Sequence, residues 1–218
     1  ANTDIFLLKF TGAGLRQWAT YCGGIANDVA GSTANGGNGN CIALDASGNI
    51  YVVGHTDAAG FPTQTHGAGS YLQSLFAGGW YDVIILKFNS AGAMQWSTLY
   101  GGNGRDIAHA VVTDAAGNVY VTGFTGSGNF PRQNPGGGAY YQTNYGGGNN
   151  DAFLLKFDNS GVRKSAAYYG GGDIDAGNDI LVDKAGNLFV TGMTVSSNFP
   201  VLNPGCGHYQ STYSGGTP

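Results

Sequence analysis

The side chains able to do chemistry in this chain come mostly in threes. Asp45-Ala-Ser-Gly-Asn49, Asp114-Ala-Ala-Gly-Asn118 and Asp183-Lys-Ala-Gly-Asn187 each gather carboxylate and amide oxygens, and hard oxygen donors suit Ca2+. The alternating ligands and distal Glu of an EF-hand loop are missing from all three. A hairpin turn is therefore preferred, with Asp capping the backbone and Gly or Asn at positive φ. No cofactor is expected, and Ca2+ is the one ion these oxygens would suit. Asp4, Asp82 and Asp151 also occupy matching positions, and repeated positions are spaced apart in a fold, so each is expected to pair locally or cap its strand. The four histidines, His55, His66, His109 and His208, match no histidine in the neighbouring copies. A Zn2+ site needs several converging ligands, so no metal site is nominated. No Ser-His-Asp or Cys-His set can be named either, so no catalytic residue is assigned and the chain is not expected to be an enzyme.

Aromatic side chains give the best candidates for binding. They cluster in Tyr71-Leu-Gln-Ser-Leu-Phe76-Ala-Gly-Gly-Trp80, Tyr140-Tyr-Gln-Thr-Asn-Tyr145-Gly-Gly-Gly-Asn149 and His208-Tyr209-Gln-Ser-Thr-Tyr213-Ser-Gly-Gly216. Tyr mixed with Gly, Ser and Asn suits adaptable recognition of a protein or a glycan. Tyr71, Phe76, Trp80, Tyr140, Tyr145, Tyr209 and Tyr213 are the candidate ligand-binding residues. Because the set recurs in register, a plug between neighbouring repeats is the favoured role, with Trp80 the expected exposed exception.

The elements that position these residues are legible from composition and period. Forty glycines, thirteen tyrosines and only 10% charged residues disfavour helices, since Gly in a helix interior costs about 1 kcal/mol. A hydrophobic content of 42% argues for a packed core over disorder. The net charge of −4 provides no basic footprint for nucleic acid. No apolar run approaches the roughly 20 residues that span a bilayer, and Ala1-Asn2-Thr3-Asp4 lacks the basic and apolar regions of a signal peptide. Any export signal is expected to have been removed or to lie outside this chain.

Asp45, Asp114 and Asp183 stand 69 residues apart, as do Pro62, Pro131 and Pro200. Three units follow, at 1–81, 82–150 and 151–218, the first carrying an insertion of about eight residues within 25–40. Insertions in repeats map to loops. Each unit reads as four strands. The first is a continuous apolar run such as Ile5 to Phe10, which implies a sheet covered on both faces. Trp18-Ala-Thr-Tyr21, Cys41-Ile-Ala-Leu44 and Ile50-Tyr-Val-Val53 supply the other three in unit 1. Four short strands on tight turns make a meander that needs neighbouring copies to bury its faces. Cys22 ends the second strand and Cys41 opens the third, and antiparallel neighbours there would lie within disulfide reach. A Cys22–Cys41 disulfide is expected, clamping the insertion and consistent with an oxidising compartment. Cys206 is left free or for use between chains.

Asp-x-Phe-Leu-Leu-Lys-Phe, Trp-x-Thr-x-x-Gly-Gly, Asp-x-x-Gly-Asn-x-Tyr-Val-x-Gly and Asn-Phe-Pro resemble the bacterial seven-bladed β-propeller repeat, SBBP. The resemblance recurs three times over the whole chain. It implies an all-β fold of four-stranded antiparallel propeller blades in secreted or cell-surface proteins, often multidomain and sometimes exported by the type IX pathway, with no defined catalytic activity. The third unit departs from the pattern: it lacks the Trp and carries Tyr169 before its Gly pair, which weakens one contact between blades.

Three blades are too few to close a ring, which typically has four to eight. Gln73 and Gln142 each precede an Asp by nine residues, so Gln210 places the next Asp near position 219, just past Pro218. The expected partners are other protein chains or further repeats that complete the ring, with glycans as further candidates. The function expected is a non-catalytic extracellular scaffold for adhesion or protein interaction at the cell surface or in a surface filament. A carbohydrate-binding module is the first alternative and a propeller-fold hydrolase or lyase the second; two facing carboxylates in a pocket would mark the latter.

Overall fold

The computed structural model describes residues 2–32, 39–57, 59–205 and 208–215. Among them lie thirteen β-strands and no helix: β1 (Ile5–Phe10), β2 (Arg16–Cys22), β3 (Asp28–Ala30), β4 (Ile42–Leu44), β5 (Ile50–Thr56), β6 (Asp82–Phe88), β7 (Met94–Tyr100), β8 (Asp106–Thr113), β9 (Val119–Thr125), β10 (Asp151–Phe157), β11 (Arg163–Tyr169), β12 (Asp175–Val182) and β13 (Leu188–Thr194). All named pairings are antiparallel. The all-β meander blades expected from the repeat are present, and the array is not closed.

The sheets do not follow the boundaries of the sequence units. One complete sheet runs β8-β9-β10-β11, and the sheet before it runs β5-β6-β7 with both β3 and β4 pairing with β5. Each blade therefore takes its first two strands from one unit and its last two from the next. What is left over is a two-stranded sheet at each end, β1-β2 and β12-β13. The 69-residue period is intact, but units 1–81, 82–150 and 151–218 each straddle two sheets, because the longest loop of the repeat lies inside a blade. Residues 59–81 cross to the outermost strand, bridge Ser97 through Gln64, and only then enter β6 beside β5. Residues 126–150 repeat the path, with Gln133 bridging Ala166 and Gln142 bridging Tyr168.

The continuous apolar strands are buried on both faces as their composition requires. Ile84, Leu86 and Phe88 of β6 pack toward the β1-β2 sheet with Ile5, Leu7 and Cys22. The alternate residues Val83 and Ile85 join Phe153, Leu155 and Phe157 of the following blade. The inner strand β8 carries a bulge between Ala108 and Ala110, and β12 one between Gly177 and Asp179. The insertion of unit 1 falls at the same point and splits that strand into β3 and β4, as a position already unpaired tolerates extra residues best.

The Asp-x-x-Gly-Asn segments are turns. Asp45 Oδ1 accepts the Ser47 and Asn49 N–H groups, while its Oδ2 accepts Asn49 Nδ2 and the Tyr51 hydroxyl; Asp114 repeats the pattern. Both Asp45 oxygens are thus engaged by the turn's own donors. Gly117 sits at φ +80°, where a side chain would be strained. Burial pushes the Asp45 carboxyl up, but the donors of Asn49, Ser47 and Tyr51 outweigh it and hold the pKa below the usual range.

Candidate functional site

The repeated acids of β6 and β10 are buried at the junctions between sheets. Asp82 is fully buried. Its Oδ2 accepts Gln73 Nε2 at 3.0 Å and the Ala77 N–H at 2.8 Å. Gln73 in turn accepts the Gly101 N–H, so it clasps the strand end to the chain leaving β7. Asp106, opening β8 of the next blade, is equally buried and accepts Gly102 N–H, Ser127 Oγ and Thr125 Oγ1. The two carboxyl groups meet over Gly101: a Cβ placed there would lie 2.4 Å from Asp82 Oδ1 and 2.8 Å from Asp106 Oδ2. Only Gly fits. One junction further on, Asp151 and Asp175 meet over Gly170, with Gln142 and Gly146 holding Asp151.

Asp82 Oδ1 and Asp151 Oδ1 are buried without a hydrogen-bond partner. Burial, reinforced by the facing carboxylate of Asp106 or Asp175, pushes Asp82 and Asp151 each up to about 7. Burial also lifts Asp106 to about 6, against the pull of its three donors. Chemically each pair can hold one proton between two blades. Neither can meet a substrate, because all four side chains are fully enclosed. The local pairing expected of Asp82 and Asp151 thus takes the form of a carboxyl pair across each junction.

The aromatic candidates separate by environment. Tyr71 packs against Tyr100 and Phe157 with the Arg163 guanidinium over its ring, Phe76 packs on the cluster between β1-β2 and the next sheet, and Tyr145 lies against Tyr168. These three plug the blades. Trp80 is 74% exposed, Tyr140 and Tyr213 are exposed, and Tyr209 is half-buried. Tyr140 also stacks beside Tyr169.

The Cys22–Cys41 disulfide is not formed; both are free thiols. Cys22 packs with Ile5 and Leu7 on one face of the β5-β6-β7 sheet, and Cys41 packs against the cluster on the opposite face. The expectation failed because the second and third strands of a unit are not sheet neighbours: β2 and β4 lie in different sheets. Burial, then the charges of Asp28 and Asp4, push the Cys22 thiol up to about 11. Cys206 lies outside the described residues, as does Gly216 of the last aromatic loop.

What sequence reasoning missed is the partnership of the acids with the Gly pairs and with Gln73 and Gln142. The constant nine-residue spacing of Gln and Asp was its signal.

Four-stranded antiparallel meanders stacked face to face, each junction sealed by aromatics and a carboxyl pair, define blades of a β-propeller. Residues 95–131 and 166–200 match the model of the family described as a beta-propeller repeat, SBBP. Those two segments carry the repeat that the motifs resemble. No curated protein matches it.

Proposed function

We propose that this propeller segment is a non-catalytic scaffold for protein interaction in a secreted or surface-attached protein. The observation that carries the reading is where the recurring chemistry is spent: the Asp–Gln–Gly–Gly sets and the in-register aromatics Tyr71, Phe76 and Tyr145 all join one blade to the next. Partners of the scaffold are further blades and other protein chains. Among the described residues no helix is long and apolar enough to cross a membrane, in keeping with an exported repeat domain. Two experiments test this. Protease treatment of intact source cells should release peptides of the exposed 75–80 loop, and intracellular protection of that loop would remove the surface assignment. A panel of glycosidase and lyase substrates should remain unturned by the purified chain, and turnover would replace the scaffold with an enzyme.

Trp80 and Leu75, both strongly exposed in one loop, favour carbohydrate binding as the second reading. A saccharide bound on a glycan array and lost in Trp80→Ala would establish it.

A further inference from the structure

The recurring side chains join one blade to the next, so those that break the repeat are available for another task. Four of them meet at one place, the junction between the β5-β6-β7 and β8-β9-β10-β11 sheets. At the positions of His55, Tyr81, Arg105 and His109 the next repeat carries Phe124, Asn150, Ile174 and Asn178. The His55 ring stands edge-on to Tyr81 with the ring centres 4.7 Å apart. The Arg105 guanidinium carbon lies 5.6 Å from the centre of the Tyr81 ring and 5.2 Å from that of Phe124. His109, anchored on the Gly177 carbonyl, stands edge-on to Phe124 at 5.3 Å. We propose that this junction binds a carboxylate monoanion on the Arg105 guanidinium, beside the Tyr81 and Phe124 rings. The inference goes beyond the scaffold reading and does not depend on it, because it concerns side chains that blade packing leaves unused.

Three features carry it. The first is hydrogen-bonding capacity without an acceptor. Arg163 and Arg132 also lie over aromatic rings, but Arg163 donates to Gln133 Oε1 and the Tyr100 hydroxyl, and Arg132 donates to the Thr143 carbonyl. Arg105 Nε is buried with no acceptor, although a guanidinium brings five N–H donors. His55 Nδ1, at the same junction, is likewise buried without a partner. Buried nitrogens in this condition are uncommon in native proteins and call for an explanation.

The second is uncompensated charge. The one ion pair among the described residues joins Lys164 to Asp158, far from Arg105 in the chain. The acids nearest the junction are engaged by other donors: Asp57 accepts the Asn27 N–H and Nδ2 at 2.9 and 2.6 Å, and Asp106 accepts its three donors from Gly102, Thr125 and Ser127. Burial above all, and then the charges of Arg105 and His109, push His55 down to about 4 against the opposing pull of Gly31 and Asp57, so its imidazole is uncharged at neutral pH. One fixed positive charge remains, and it matches one negative charge. A dianion such as sulfate would leave its second charge uncompensated beside Asp57 and Asp106.

The third is shape and access. A planar guanidinium receives both oxygens of a carboxylate side by side, and the flanking rings hold its plane. Arg105 and Tyr81 are half-buried, and Asn103 and Trp80 next to them are exposed, with the Trp80 N–H on the Gly104 carbonyl. A ligand therefore reaches Arg105 from solvent, while the buried side of the pair is weakly screened by salt.

Nitrogen–proton NMR spectra that resolve arginine Nε–H groups test the proposal, with sodium acetate as the probe and sodium sulfate at equal ionic strength as the comparison. Acetate should shift the Arg105 Nε–H signal saturably and bind about tenfold more tightly than sulfate, given the match of one fork to one carboxylate. Arg105→Ile, which installs the residue the next repeat already carries at this position, should abolish the saturable shifts of the Tyr81 and Phe124 signals. If that variant does not fold, Arg105→Lys serves: it keeps the charge, loses the fork, and should weaken acetate by about tenfold. Two larger monoanions, N-acetylglutamate α-amide and methyl glucuronide, separate a protein side chain from a uronic acid as the source of the carboxylate; tighter binding of either than of acetate supports the site and names its source. Shifts that never saturate, equal affinity for sulfate, or acetate binding that survives in Arg105→Ile overturns the proposal. Turnover of a glycosidase or lyase substrate would replace the scaffold reading and leave this site standing, because none of the probes is cleaved.

Discussion

Asp82 shows how much the fold asks of single side chains: one carboxyl oxygen takes two hydrogen bonds, while the other faces Asp106 without a donor. Burial above all, and then the charge of the facing Asp106, favour the protonated form, so the folded pKa of about 7 lies above the ordinary value of 3.8. A group of this kind gives stability fully present below the unfolded pKa and lost as pH rises through the folded one. Asp151 behaves alike, and Asp106 adds to it from about 6. Asp45, Asp114 and Asp158 have lowered values and act oppositely, losing stability only as pH falls below 3.8. The melting temperature should therefore rise on acidification from pH 8 to pH 5 and fall again below about pH 4. Asp82→Asn combined with Asp151→Asn, which places an amide donor toward each facing carboxylate, should flatten the rise; an unchanged slope measured by scanning calorimetry would discard the shared proton. The thiols give a second residue-level test. Cys22 is buried and raised to about 11, whereas Cys41 is half-exposed, so iodoacetamide on the native protein at pH 8 should label Cys41 well before Cys22. Recovery of a Cys22–Cys41 disulfide peptide without reduction would contradict the structure.

At the scale of elements, what sequence made legible was local. Strand positions follow from apolar runs such as Asp82 to Phe88, and turns from Asp, Gly and Asn at fixed offsets, because both depend on neighbours within a few residues. Sheet phase was not legible. In a tandem meander every strand has an equally good neighbour on either side, and the longest loop naturally reads as a break between units; here it is long because it must reach the outer strand and return. The same error produced the Cys22–Cys41 pair. Exposure of Trp80 against burial of Tyr71 was only partly legible, since both sit in one loop and only the next blade distinguishes them. Two substitutions test the elements. Asp114→Ala removes an acceptor of four hydrogen bonds from the β8-β9 turn and should destabilise by about 1–3 kcal/mol, given about 1 kcal/mol per net bond and partial replacement by water. Trp96 is buried, its indole N–H reaches the Asn159 carbonyl in the turn of the next blade at 3.5 Å, and a Cβ placed on Gly161 would lie 3.3 Å from its ring; Trp96→Ala should cost about 3–5 kcal/mol. Urea unfolding measures both, and a smaller loss for Trp96→Ala than for Asp114→Ala would invert the ranking of packing over turn chemistry.

The whole molecule behaves as a stack whose stability depends on which faces are covered. In a one-dimensional array each blade draws on its neighbours alone, so the middle, where β5 to β10 are buried from both sides, should open last, and each end sheet, packed on one side only, should open first. Hydrogen exchange resolves the two tiers. Amides of β6, β9 and β10 should exchange at the rate of global unfolding. Among the described residues the β13 edge that faces away from β12 has no strand beside it. The amides of that edge should exchange at least tenfold faster than those of β9, which is paired on both sides. Protection of β13 equal to that of β9 would overturn the two tiers. An open strand edge templates aggregation, so the 218-residue chain should lose solubility as its concentration rises, and light scattering on the same samples reads that directly.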